Sequence, residues 1–116
     1  IEKNDSSGKL IEFPLLVTTF LGKKIPAAGG FYLRTLPTNV IKNAIKNYEK
    51  KGMPATFYIH SWELTPEFMP RLNLPLKDKF VTYHNLDKAY SRMSQLLKHF
   101  EFTSFGRYIA ENEMMI

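Results

Sequence analysis

The run His60-Ser61-Trp62-Glu63 places an imidazole, a hydroxyl, an indole and a carboxylate at successive positions. Histidine is the side chain most readily poised to give or take a proton near neutral pH. Trp62 offers a face on which a sugar ring can stack, and Glu63 can orient the imidazole or bind a hydroxyl. The plainer reading is a hydrogen-bonded structural histidine at a strand end. Arg34 follows a glycine pair and an aromatic pair, and Arg71 lies in a proline-rich stretch after the histidine. Either guanidinium can clamp a carboxylate or a hydroxyl-rich ligand. The competing reading for each is a surface or packing arginine.

Other chemistries are poorly supplied. His60, His84 and His99 are far apart in sequence, and neither His-x-x-x-His nor His-Glu-x-x-His occurs, so no metal site is expected within the chain. His99 falls at the end of a helical stretch, where the helix dipole alone accounts for it. The chain has no cysteine, which excludes disulfides and thiolate zinc sites. Ser61 lies in no Gly-x-Ser-x-Gly elbow, and Gly29-Gly30 before Phe31 is not a dinucleotide or phosphate loop.

The net charge is +5, from 16 Lys and Arg against 11 Asp and Glu. Such a balance steers acidic partners. The lysines are scattered, with only Lys42, Lys46 and Lys50 on one helical face, and no nucleic-acid motif accompanies them. A solvated surface and no nucleic-acid partner are expected. No apolar run approaches the roughly 20 residues needed to span a bilayer. The first residues, Ile1-Glu2-Lys3-Asn4-Asp5, carry neither a basic leader nor an apolar core and read as a cut end of a longer chain. Composition does not choose between the cytoplasm and the cell envelope of a prokaryote.

The elements that must position the histidine can be read from the spacing of apolar residues. A length of 116 residues fits one domain, and 44% apolar residues supply a core. Residues 1–8 read as a loose leading segment and 9–13 as a short strand stopped by Pro14. Residues 15–21 are ambiguous, and 22–30 read as a loop of small residues. Val40, Ile41, Ala44, Ile45 and Tyr48 recur at helical spacing and predict a helix over 37–51, opened by Pro37 and closed at Gly52. Residues 55–60 form an apolar run without alternation, which predicts a strand buried on both faces with His60 at its C-terminal edge. Residues 65–80 read as a long proline-rich loop. Leu86, Ala89, Tyr90, Met93, Leu96, Leu97 and Phe100 predict a second helix with Asn85 as its N-cap. A terminal strand over 101–103, a short helix capped by Ser104 and a frayed tail over 111–116 complete the chain. The class is α/β, with two main helices and a few short strands; α+β is the alternative.

Several motifs occur in a fixed order: Leu10-Ile11-Glu12-Phe13-Pro14, Ala28-Gly29-Gly30-Phe31-Tyr32-Leu33-Arg34-Thr35-Leu36-Pro37, Phe57-Tyr58-Ile59-His60-Ser61-Trp62-Glu63, Pro70-Arg71 and Tyr83-His84-Asn85-Leu86. In this set the chain resembles the C-terminal part of exosortase-associated polysaccharide deacetylases, a region often catalogued as a domain of unknown function. The resemblance spans about residues 9–108. It implies the last portion of a deformed (β/α) barrel. It also implies hydrolysis of N-acetyl groups on the amino sugars of a polysaccharide, within exopolysaccharide biosynthesis. A divalent metal, usually zinc, would be held by an aspartate and two histidines upstream of this chain, and another aspartate would be the base. By its place in the motif, His60 matches the general acid that protonates the leaving amine. Trp62, Glu63, Arg34 and Arg71 would shape the substrate groove.

The chain departs from the family pattern in three places. The metal-binding and base segments are absent, so this piece alone would not deacetylate and would work with the upstream part of the same polypeptide. Ser61 stands where the family more often has proline, and Thr82 where it often has histidine. Barrel strands without their neighbours leave edges and apolar faces uncovered, so the isolated chain is expected to self-associate. The rival expectation is a non-catalytic module that binds carbohydrate or a partner.

Overall fold

The computed structural model describes residues 2–5 and 8–112. Two antiparallel hairpins come first. β1 (Glu2–Asp5) pairs with β2 (Gly8–Ile11), and β3 (Val17–Phe20) pairs with β4 (Lys23–Pro26). Leu21 and Gly22, both at positive φ, form the two-residue turn of the second hairpin, the geometry that matches strand twist. The helices follow: α1 (Gly30–Thr35), α2 (Thr38–Lys50), α3 (Ser61–Leu64), α4 (Leu76–Tyr83), α5 (Ala89–His99) and α6 (Phe105–Glu111). Short 3-10 turns at Pro66–Phe68 and Leu86–Lys88 precede α4 and α5.

The chain thus mixes helices and strands, as the sequence implies. The expected barrel portion is not seen among the described residues. Every named strand belongs to one of the two hairpins, and parallel contact is limited to isolated bridges, Leu15 to Thr56 and Gly29 to Tyr58. Through these bridges the 55–60 segment lies between two other stretches. Leu16 donates its N–H to the Thr56 carbonyl at 3.2 Å, and Tyr58 donates to the Ala28 carbonyl at 2.9 Å. The segment is therefore not the strand covered on both faces that its composition predicts. Thr56 is buried, but Tyr58 is 52% exposed and His60 faces solvent.

The core forms where α2 meets this segment. Ile41, Ala44 and Ile45 are buried on the predicted face of α2, against Leu16, Ala27, Ala28, Leu33, Leu36 and Leu96. Val40 and Tyr48 pack at its margin. Gly52, at φ 68°, ends the helix in the left-handed conformation anticipated for it. On α5 the apolar stripe is narrower than its spacing predicts. Ala89 and Leu96 are buried, whereas Tyr90 and Leu97 are exposed.

Other expectations are corrected. Residues 2–5, read as loose, pair with β2, and the 22–30 loop begins with β4. The 65–80 loop contains the start of α4, introduced by Pro75. Residues 101–103 are not a strand. Ser104 caps α6 as expected, its Oγ accepting the Arg107 N–H at 3.2 Å. Of the predicted frayed tail, residues 113–116 lie outside the described residues, and Glu111 is helical. No helix among the described residues is long and apolar enough to cross a membrane.

Candidate functional site

α3 begins where the 55–60 segment ends, with His60 as its N-cap. The helix is set by a contact three residues apart: the His60 N–H donates to Oε2 of Glu63 at 2.9 Å, so the carboxylate satisfies a donor at the start of the helix. Residue 61 is the first helical position, where proline is tolerated because its missing N–H has no helical partner. Serine and proline are therefore interchangeable there on backbone grounds.

The same turn places the imidazole. Nδ1 of His60 lies 3.4 Å from Glu63 Oε2, and Nε2 lies 2.6 Å from the Tyr58 hydroxyl. The ring stacks on Trp62 at 5.5 Å and meets Tyr58 edge-on at 4.7 Å. Its side chain is 46% exposed while the carboxyl of Glu63 is almost wholly buried. The imidazole is thus held between a fixed carboxylate at Nδ1 and the Tyr58 hydroxyl at Nε2, with its side chain half-open to solvent. That arrangement suits acid–base chemistry.

Glu63 is held in turn by Arg34. Nη2 of Arg34 is 3.2 Å from Glu63 Oε1. Gly30, at the start of α1, allows this close approach, because a Cβ there would overlap the carboxylate. Arg34 also ties down the end of α4. Its Nη1 donates to the carbonyls of His84 at 2.7 Å and Thr82 at 3.3 Å, and its Nη2 donates to that of Val81 at 3.0 Å. These are carbonyls that a helix end leaves without internal partners. Burial pushes the Arg34 guanidinium below its ordinary pKa, and the Glu63 carboxylate opposes that shift.

A second arginine repeats the device. Arg92 on α5 donates through Nη1 to the carbonyls of Leu33, Arg34 and Leu36, at 2.9, 2.8 and 3.0 Å, closing the end of α1. Asn85 is left-handed at φ 52° and makes no side-chain cap for the turn it precedes. Its amide donates instead to the Arg34 carbonyl at 3.0 Å. The expected N-cap is therefore a clamp on α1. Among the described residues no buried side-chain nitrogen or oxygen lacks a partner.

Of the residues singled out from sequence, His60, Trp62, Glu63 and Arg34 come together. Arg34 and Glu63, expected to contact substrate, are only 1% and 2% exposed. Burial and mutual pairing turn them inward, so they hold His60 in place instead of reaching a ligand. Arg71 is exposed and lies 4.6 Å over the Tyr83 ring. The Tyr83 hydroxyl fixes that loop by donating to the Pro70 carbonyl and accepting from the Leu72 N–H, both at 2.8 Å. Arg71 thus stands with Tyr83 and not with the His60 group. Thr82 enters the assembly through its carbonyl alone, which any residue supplies. Tyr58 and Arg92 are not among the residues that the sequence offers as a site, whereas the Gly29-Gly30 pair marks a place where backbone can be closely approached. Tyr58 has a signal in its place two residues before the histidine, on one face of an extended segment.

Among the described residues no group of three His, Asp or Glu is placed to hold a metal ion. A cavity of about 510 Å³ opens elsewhere, lined by Phe13, Met53, Phe57, Phe102, Phe105 and Tyr108 among others. None of Arg34, His60, Trp62, Glu63 or Arg71 borders it.

No curated protein and no solved structure matches the chain. A family model described as a domain of unknown function (DUF3473) matches residues 1–110, which include every part of the His60 assembly. On that match, the chain belongs to the family of this domain of unknown function, DUF3473.

Proposed function

We propose that the chain is the C-terminal part of a metal-dependent polysaccharide N-deacetylase and that His60 is its general acid. The observation that carries this reading is the half-exposed imidazole of His60, set 3.4 Å from the buried Glu63 carboxylate. The ordered motifs that resemble exosortase-associated deacetylases supply the reaction class.

Hydrolysis of an N-acetyl group breaks the amide C–N bond, and the amine leaves only when its nitrogen gains a proton. His60 would give that proton from Nε2, the nitrogen that meets the exposed Tyr58 side chain. The Glu63 carboxylate, 3.4 Å from Nδ1, keeps the ring oriented. Arg34 fixes that carboxylate, so the positioning chain runs from α4 through Arg34 and Glu63 to His60. Trp62, stacked beside the imidazole, offers an apolar plane for the sugar ring. Arg71 is available at the surface for polysaccharide hydroxyls.

The described residues do not fit a metal site. On this reading the metal, of the zinc type, belongs to the remainder of the polypeptide, and the present chain alone is inactive. The test is acetate release from N-acetylated oligosaccharides by the whole polypeptide, with and without divalent metal. Metal-dependent acetate release supports the proposal. Carbohydrate binding without acetate release would replace it with the binding-module reading.

A further inference from the structure

We propose that Tyr58 is a positioning residue for His60, fixing which ring nitrogen carries the proton. The proposal deepens the general-acid reading and rests on it for its catalytic meaning, but the geometry behind it is independent of any activity.

The two ring nitrogens face different partners. Nδ1 is 3.4 Å from Oε2 of Glu63, and Nε2 is 2.6 Å from the Tyr58 hydroxyl. An ionised carboxylate can only accept hydrogen bonds, whereas a phenol can donate or accept. A bare Nδ1 lone pair would face the carboxylate lone pairs, with the charge next to it shielded from water. The neutral ring therefore carries its proton on Nδ1, and Nε2 accepts from the Tyr58 O–H. One group competes for Nδ1: the Glu63 N–H faces the His60 side chain across a capping box, but makes no cap hydrogen bond to it. That N–H is already given to the His60 carbonyl at 3.1 Å.

When the ring is protonated, both nitrogens become donors. Tyr58 then reverses its role and accepts from Nε2–H. A hydroxyl serves both states of an acid that must hold and release a proton; a phenyl ring serves neither. Tyr58 is also 52% exposed, so its phenol can yield Nε2 to an incoming amine without opening the core. In the free state the phenol occupies the place that the leaving nitrogen takes on the general-acid reading.

The test is nitrogen NMR of the protein with 15N-labelled histidine rings, above the imidazole titration. His60 is assigned by its loss in His60→Asn, with His84 and His99 as internal controls. The expected result is a pyrrole-type Nδ1 and a pyridine-type Nε2 for His60, and loss of that single-tautomer pattern in Tyr58→Phe. A wild-type His60 protonated on Nε2 overturns the proposal, as does an unchanged pattern in a folded Tyr58→Phe protein. The wild-type spectrum decides the tautomer even if the variant does not fold. In the whole polypeptide, Tyr58→Phe is expected to displace the alkaline limb of the pH–rate profile, where a general acid loses its proton. A polypeptide that releases no acetate contradicts the deacetylase reading and leaves the tautomer result standing.

Discussion

Nη2 of Arg34 lies 3.2 Å from Oε1 of Glu63, with both side chains almost wholly shielded from water. This pair joins the end of α4 to the start of α3, and so determines where His60 stands. A buried pair is costly to break from one side, because the remaining charge is left without compensation. Glu63→Leu and Arg34→Met are each expected to cost about 3–5 kcal/mol. Both together should cost less than their sum, by roughly 0.5–3 kcal/mol of coupling. Urea unfolding of the four proteins measures this, and simple additivity would show that the two residues act independently.

Gly30→Ala should destabilise by about 1–3 kcal/mol, since its Cβ would occupy space held by the Glu63 carboxylate. The carboxylate cannot swing away freely, being bound to Arg34 and to the His60 N–H. Gly29→Ala is the control. Its Cβ would meet only Tyr32 at an ordinary 3.9 Å. Thermal unfolding should separate the two variants, and equal melting temperatures would contradict the packing described.

Arg92→Ala should cost roughly 1.5–3 kcal/mol, the range for hydrogen bonds to a charged group. Three carbonyls at the end of α1 lose their donor, although Asn85 still serves that of Arg34. Hydrogen exchange should report faster opening of α1 in the variant. Unchanged protection there would remove the assigned role.

Self-association of the isolated chain is the fourth expectation. No residue of α4 is buried, and Leu76 and Phe80 are 86% and 50% exposed. With apolar side chains on view, the chain should form dimers or larger species. Leu76→Glu with Phe80→Lys should shift it toward monomer in sedimentation velocity. A wild-type monomer at high concentration contradicts this.

The parts legible in sequence were those written in local spacing. The stripe Ile41, Ala44 and Ile45 located α2, Gly52 its end, and Ser104 the cap of α6. α4 escaped because Lys77-Asp78-Lys79-Phe80-Val81-Thr82 has no repeating apolar face, and its β-branched residues favour a strand. Pro75 and Asp78 marked its start. The His60 assembly was visible only in part. Nothing in the spacing of Arg34 and Glu63, 29 positions apart, shows that they meet. Burial of such a pair is a tertiary event that composition argues against. Without that meeting, both side chains read as ligand contacts.

Acetate release from N-acetylated oligosaccharides by the whole polypeptide, compared between wild type and His60→Asn at equal metal content, tests the account most directly. The expected result is a loss of about 10²–10⁴-fold in kcat, the usual contribution of a positioned acid–base group, with the protein still folded and still loaded with metal. Full activity in His60→Asn would contradict the general-acid role.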